Sequence, residues 1–403
     1  MTKSPRPAAF RGPRNLVLCC DGTSNEPGPA ATNVVRLFRA LDKDDTQLVY
    51  YDPGIGTTGI LNLWKRRSDR AKALLAQATG HGLDAHVTDA YRFLCERYLP
   101  GDRISIFGFS RGAYTARVVA GLIHLVGLLR AEQTNIAEFA LKAYKQSADE
   151  DDLAVGWRFA RSLETRRAPI HFLGLWDTVG SMIAPLKDRI GLGLTHLPYT
   201  RANPSVAIVR HAMAIDERRR MFRLSGWRAG PYEPDPFASS TVAQDALEVW
   251  FAGGHGDVGG GHPEPESGLA KHSLLWMAGE AHSAALRFDT ATLNRICHGQ
   301  RRTNGELVHC PADAMGPIHQ QPAGGWWIPE WIPKRARMKE WPERRDLLGY
   351  YLPAGEPRPV PDDAVIHRSV QVRCDAGDYT PMNLPPHGKL RVVDTQVLGE
   401  KMS

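Results

Sequence analysis

Short apolar runs alternate with longer amphipathic stretches along this chain, and the first third sets the rhythm. Asn15–Cys20 (NLVLCC) and Gln47–Tyr51 have the length and β-branched content of buried strands, and Ile104–Phe107 begins a third. Asn33–Leu41 carries Val34, Leu37, Phe38 and Leu41 at helical spacing. Leu83–Tyr98 predicts an amphipathic helix that Pro100 and Gly101 stop. The first two strands break into Asp21-Gly22-Thr23-Ser24-Asn25 and Asp52-Pro53-Gly54-Ile55-Gly56-Thr57, both turn-forming. Repeated strand, loop and helix predict an α/β fold: a doubly wound, mainly parallel sheet with helices on both faces. In such a sheet ligands bind beyond the carboxyl ends of the strands.

The pattern continues with a helical stretch over Asn135–Arg166, including a solvated acidic turn at Asp149–Asp152. Pro169–Trp176 (PIHFLGLW) predicts a buried strand, Pro204–Ile215 a helix, Ala246–Ala252 (ALEVWFA) the last clear core strand, and Gly268–Ala284 a helix packed back on the sheet. Beyond Cys297 the periodicity fades. Residues 298–361 are rich in Pro, Gly and Trp and read as a loop-rich accessory segment. Ala364–Arg373 alternates like an edge strand that returns to the body of the fold. The expected division is a disordered leader over 1–14, an α/β core over 15–297, the accessory segment over 298–361, and a return segment with tail over 362–403.

Composition narrows this picture in three ways. A hydrophobic share of 42% and a charged share of 23% are those of a globular protein. The net charge of +6 comes with basic clusters such as Lys65-Arg66-Arg67 and Arg218-Arg219-Arg220 but without any RNA- or DNA-binding signature, so no nucleic-acid partner is expected. Six scattered cysteines lack metal or redox spacing and suit a reducing compartment. The first residues have no apolar signal-peptide core, and the longest apolar run, Val118–Leu129, is too short to span a bilayer. A cytoplasmic location is expected, with secretion by a route that needs no signal peptide left open.

The candidate chemistry centres on Gly108-Phe109-Ser110-Arg111-Gly112, a G-x-S-x-G between a predicted strand and a predicted helix. In that context the motif is a nucleophile elbow, with Gly108 and Gly112 as the residues that crowding requires to lack a side chain. A serine nucleophile needs a base, and the base needs a carboxylate to orient it. The chain order serine, acid, histidine selects Asp177, at the end of a buried strand, and His255, in a glycine-rich strand-end loop. Asp216 and Asp257 compete for the acid role, and His211, His262 and His272 for the base. Asp177 can alternatively cap the turn that begins at Thr178. The oxyanion hole is expected from the backbone N–H of Arg111 and of Gly22 or Thr23, with the Gly54–Gly56 loop as second choice. Asp21-Gly22-Thr23 also matches the D-G-T of aspartyl-phosphate phosphatases, but Cys19 stands where their nucleophile would be. His255, Asp257 and His262 have no standard metal-ligand spacing. Neither a metal nor an organic cofactor is expected.

Several stretches taken together are similar to a known family: CCDGTSN (19–25), YYDPGIGT (50–57), GFSRGAYTAR (108–117), LWDTVGS (175–181), HAMAIDERR (211–219), VWFAGGHGDVGGG (249–261) and IHRSVQVR (366–373). This set resembles a family of α/β hydrolases that includes the phospholipase effectors of bacterial type VI secretion systems. The resemblance covers about residues 15–285 and a patch near 365–385. It implies a triad of Ser110, Asp177 and His255, the residues reached from chain order. The resulting reading is a serine hydrolase of carboxylic esters, with lipid or phospholipid acyl esters as substrate class. A short-chain carboxylesterase and a catalytically silent binding module are the rival readings.

One stretch fits neither core nor triad. Trp326, Trp327, Ile328, Trp331 and Ile332 crowd a proline-stiffened part of the accessory segment, with Lys334, Arg335 and Arg337 beside them. They read either as a satellite core or as a peripheral contact with an anionic membrane.

Overall fold

The order of strands across the main sheet sets where a ligand can enter. In the computed structural model, residues 12–22, 30–54, 82–149, 152–179, 183–185, 192–194, 197–233, 241–301, 307–341, 343–377, 379–386 and 389–396 are described. Eight strands run parallel: β1 (Asn15–Cys20), β2 (Gln47–Asp52), β3 (Arg103–Phe109), β4 (Ile170–Trp176), β5 (Val206–Ala214), β6 (Asp245–Phe251), β7 (Val365–His367) and β8 (Arg391–Val393). In space they lie in the order β2-β1-β3-β4-β5-β6-β7-β8. The chain leaves β1 in one direction to make β2 and in the other to make β3. That reversal opens a crevice beyond the carboxyl ends of β1 and β3.

Alternation along the strands builds the two covered faces. Leu16, Leu18, Ile104 and Ile106 face a core completed by α2 (Leu83–Arg97), α3 (Arg111–Val126) and α4 (Ala137–Asp149). Val17, Cys19, Phe107 and Phe109 face the opposite core, built with α1 (Asn33–Ala40) and later helices. The period of two in β1 and β3 thus separates neighbouring residues into different layers. α1 starts where Thr32 caps it, its hydroxyl accepting from the Val35 N–H at 3.3 Å.

The structure departs from the sequence reading in three places. Residues 204–215 do not form a helix: Val206–Ala214 is strand β5, hydrogen-bonded between β4 and β6. Val206 and Val209 happen to sit three apart. The sheet has a slot there with a strand on either side, and a largely buried, mainly apolar run fills it. Residues 364–373 are not an edge strand throughout. Only Val365–His367 is strand, and helix Arg368–Asp375 follows, capped by the His367 side chain, which accepts from the Ser369 N–H. The edge is β8 instead. The stretch 135–166 divides into α4 and α5 (Ala154–Ser162).

Residues beyond the loop-rich stretch pack into the body of the fold. Ala364, Ile366, Val370 and Tyr379 join Met213, Ile215 and Trp250 in a third cluster at the β7 end of the sheet. Among the described residues no helix is long and apolar enough to cross a membrane. The leader as far as residue 11, the 55–57 end of the second glycine loop and Lys65-Arg66-Arg67 lie outside the described residues.

Candidate active site

Ser110 ends β3 and precedes α3 with φ 59° and ψ −120°, the left-handed region that a residue with a side chain enters only under constraint. Two glycines impose that constraint. A Cβ on Gly108 would meet the Gly112 carbonyl oxygen at 2.5 Å and the Ala113 Cα at 2.6 Å. A Cβ on Gly112 would fall on the carbonyl oxygens of Cys20 and Asp21 at the end of β1. The turn therefore closes only with glycine at both places, and the serine is pushed up at the sheet's carboxyl edge.

The register delivers the other two groups. Phe109 pairs with Trp176, and Trp176 with Ala212, so the residue after β3 and the residue after β4 emerge at one level. That residue after β4 is Asp177, itself at φ 38°. β6 ends one loop before helix α6 (His255–Gly259), whose first residue is His255. His255 Nδ1 lies 2.5 Å from Asp177 Oδ2, and Nε2 lies 2.8 Å from Ser110 Oγ. A carboxylate can only accept, so Nδ1 carries the proton and Nε2 presents its lone pair to the serine hydroxyl. All three side chains are buried, Asp177 completely. The imidazole is flanked by Phe109 and Phe222, with ring centroids 4.6 and 4.9 Å away.

Burial would push the Asp177 carboxyl upward, but the guanidinium of Arg358 and the hydrogen bond from His255 outweigh it and hold the carboxyl well below its usual range. Arg358 Nη1 donates to Asp177 Oδ1 at 2.5 Å and Nη2 to Oδ2 at 3.0 Å. Oδ1 also accepts from the Ala214 N–H at 2.9 Å. Asp177 thus orients an imidazole; it does not cap the turn that follows. That turn is held separately, by the Thr178 N–H donating to His211 Nε2 at 3.1 Å and by Arg117 reaching the Thr178 hydroxyl at 3.1 Å.

Arg358 was not legible in the sequence, where it is one arginine between prolines in an aperiodic segment. Glu217, inside the HAMAIDERR stretch, was not singled out there; it accepts from the His255 N–H at 3.2 Å and is clamped by Arg219 at 2.7 Å. Trp326 also reaches the site, packing on Phe222 at 5.4 Å, with the Arg219 guanidinium 3.6 Å from the Phe222 ring centre. Its indole density next to Lys and Arg was the one visible signal.

The competing residues lie elsewhere. Asp216 accepts from the Gly253 N–H at 2.7 Å and from the Tyr379 hydroxyl at 2.6 Å, which shapes the loop before His255. Asp257 accepts from the Gly254 N–H at 2.8 Å and faces His319. His211 is tied to Glu248 at 2.8 Å, His262 stacks on His319, and half-buried His272 lies near His367. Of the expected oxyanion donors, Arg111 opens α3, where the helix end favours negative charge. The Gly22 N–H donates to its neighbour's Asp21 Oδ1 at 2.6 Å. Thr23 lies outside the described residues.

A parallel sheet of this order, with a serine on a strand–helix elbow and a histidine and aspartate from later strand ends, defines an α/β-hydrolase fold. Residues 14–280, about two thirds of the chain, match the catalytic domain of Tle1-like phospholipase effectors of the type VI secretion system (T6SS), and the chain belongs to that family. It is also 35% identical over 243 residues to an uncharacterized protein of Saccharomyces cerevisiae, a match that covers 56% of this chain. The chain spans about a third of that curated relative's length, 34%. Among solved structures it is similar to an uncharacterized protein from Pseudomonas aeruginosa, with TM-score 0.37 and 20% identity over 68% of this chain and 46% of that one. It is similar as well to the Tle1 effector bound to the VgrG spike, with TM-score 0.29 and 19% identity over 64% of this chain and 53% of that one.

Proposed function

We propose that this protein is a serine hydrolase that cleaves lipid or phospholipid acyl esters through Ser110, His255 and Asp177. The observation that carries the reading is the unbroken hydrogen-bond chain from Ser110 Oγ through the imidazole to Asp177, on an elbow that only its glycines permit. Ser110 Oγ attacks the ester carbonyl while His255 Nε2 takes the hydroxyl proton, and Asp177 stabilises the imidazolium that forms. The oxyanion is received by the Arg111 N–H and by a second donor from the loop after β1, either Gly22 on release from Asp21 or Thr23. His255 then returns its proton to the departing alcohol, which leaves an acyl-enzyme. A water molecule, deprotonated by the same imidazole, hydrolyses that intermediate and restores the serine.

Membership of a phospholipase family supports a lipid substrate over a small soluble ester. The surroundings of the site support it too. Phe222 and Trp326 continue outward from His255 to an exposed apolar patch in which Ile328 is 72% and Trp331 59% accessible. That exposure argues against a satellite core, and we read the patch as a peripheral contact with a lipid surface, aided by the exposed Arg335 and Arg337, while Lys334 is turned inward to Glu340 at 3.7 Å.

The test joins labelling to turnover. A fluorophosphonate probe should modify Ser110, and a panel from short p-nitrophenyl esters to phospholipid vesicles should show hydrolysis that favours the lipid. A folded protein that neither takes the probe nor cleaves any ester would leave only the binding-module reading.

A further inference from the structure

Beside the 254–257 turn, ligand-bearing side chains converge from three stretches. Asp257 lies in the first turn of α6, His262 follows the glycines that end it, and His319 arrives from the loop-rich segment. One donor atom from each lies within 4.8 Å of the others. Asp257 Oδ1 is 2.6 Å from His319 Nδ1 and 3.6 Å from His262 Nε2. Glu266 stands behind, its Oε2 2.9 Å from His319 Nε2.

We propose that Asp257, His262 and His319 bind a divalent transition cation of the zinc class, at a site distinct from the triad. Two imidazoles and a carboxylate are a borderline donor set, suited to Zn²⁺ or Co²⁺ and poorly suited to Ca²⁺ or Mg²⁺, which prefer oxygen alone. Two ligands each ~2.1 Å from a tetrahedral centre lie about 3.4 Å apart. The separations of 2.6 and 3.6 Å bracket that value. A cation entering the cluster displaces the proton shared between His319 and Asp257, and the pair opens by less than an ångström.

The surroundings already orient these ligands. Asp257 Oδ2 is fixed by the N–H groups of Gly254 at 2.8 Å and His319 at 3.0 Å, which turns Oδ1 toward the two imidazoles. With Glu266 accepting from His319 Nε2, the other ring nitrogen, Nδ1, is left to face the cation. A carboxylate behind a ligating histidine works in this way in known metal sites. Gly256 makes room: a Cβ there would stand 2.5 Å from His262 Nε2. The carboxylate is buried, whereas the His262 and His319 side chains are 24% and 23% accessible, so an ion enters from the imidazole side. Binding replaces the present ring stack of His262 on His319, 3.6 Å apart and 10° from parallel. The spacing of His255, Asp257 and His262 in sequence gives no ligand set. The third ligand comes instead from His319, while His255 stays with Ser110 and Asp177. A bound cation would clamp the turn that carries His255 to the loop-rich segment.

The untagged full chain, stripped with EDTA and passed into chelator-free buffer, is titrated with Co²⁺ and then Zn²⁺. One equivalent of Co²⁺ should bind with the intense visible absorption of a tetrahedral complex, and Zn²⁺ should displace it. His262→Ala should abolish this band. Glu266→Gln, at an exposed side chain, should keep the metal-free melting temperature and weaken binding ~10- to 100-fold. Failure of the wild-type protein to take up Co²⁺ saturably below millimolar concentration would overturn the proposal. So would a Co²⁺ complex of equal affinity and spectrum in folded His262→Ala.

Discussion

Arg358 grips both carboxylate oxygens of Asp177, at 2.5 and 3.0 Å, with both residues out of contact with water. The same guanidinium donates to the Phe222 carbonyl at 2.5 Å and the Ala214 carbonyl at 3.2 Å. One residue of the loop-rich segment therefore fixes the proposed acid and the loop that carries an aromatic wall of the site. Asp177 holds an imidazole on one side and the two N–H donors of a guanidinium fork on the other. It is a positioned anion rather than a proton acceptor.

The Arg358–Asp177 pair should be intolerant of a point charge in place of the fork. Arg358→Lys keeps the charge but cannot reach both oxygens in one plane. Arg358→Met leaves a buried carboxylate uncompensated, at a cost of about 3–5 kcal/mol in stability. We expect Arg358→Lys to keep a folded protein with kcat reduced more than KM is raised. An Arg358→Met protein as stable as the wild type in urea titration would mean that the pair contributes nothing.

The depressed carboxyl of Asp177 predicts a pH dependence of stability. A group whose folded pKa lies below its unfolded value, about 3.9 for aspartate, adds stability that is complete above that value. The contribution is lost as pH falls through the folded pKa. Thermal melts of wild type and Asp177→Asn should differ by a constant amount above about pH 5 and converge on further acidification. A gap that widens as the solution becomes more acidic would reverse the sign assigned here.

Asp177→Asn should also separate the proposed acid from its nearest rival. Holding the wrong imidazole tautomer costs about 10⁴-fold in turnover. Asp216→Asn, which keeps an acceptor for the Gly253 N–H and the Tyr379 hydroxyl, should cost under about tenfold, consistent with loop shaping alone. Steady-state rates on one soluble ester decide between them.

Ser110→Ala removes one oxygen and leaves the elbow, so the melting temperature should hold while ester hydrolysis falls at least ~10³-fold. Gly112→Ala should do the opposite first. Its methyl group collides with backbone oxygens at the end of β1, an overpacking cost of about 1–3 kcal/mol. Circular-dichroism melts of the two variants, run with the activity assay, distinguish lost chemistry from lost fit.

Trp327→Ala and Trp331→Ala test the lipid-facing patch. Both side chains are exposed, so neither change should lower the melting temperature by more than a degree or two. Weaker binding to anionic vesicles and slower phospholipid cleavage, with soluble esters cut at nearly the wild-type rate, are expected. Early melting with equal loss on both substrates would assign the indoles to the fold.

Much of the fold was written in local patterns. The short apolar run Asn15–Cys20 and the glycine-framed serine after Ile104–Phe107 are short-range features, because strand propensity and turn sterics act over a few residues. The order of Ser110, Asp177 and His255 along the chain likewise pointed to three groups that the sheet brings together, since each follows an apolar run that ends at one edge of a parallel sheet. Where a run supported two periods, as in Val206–Ala214, the vacancy between β4 and β6 decided, and propensity could not. Arg358 and His319 come from aperiodic stretches, and the sequence carries no signal of what they touch. Arg358 stands 181 residues from Asp177, and His319 62 residues from Asp257. Their positions are set by packing against surfaces that exist only once the sheet has formed. The chain by itself determined the scaffold and the order of its strand-end groups. Only the tertiary structure could decide which buried charges and imidazoles would meet, because a contact at long range depends on the fit of whole layers.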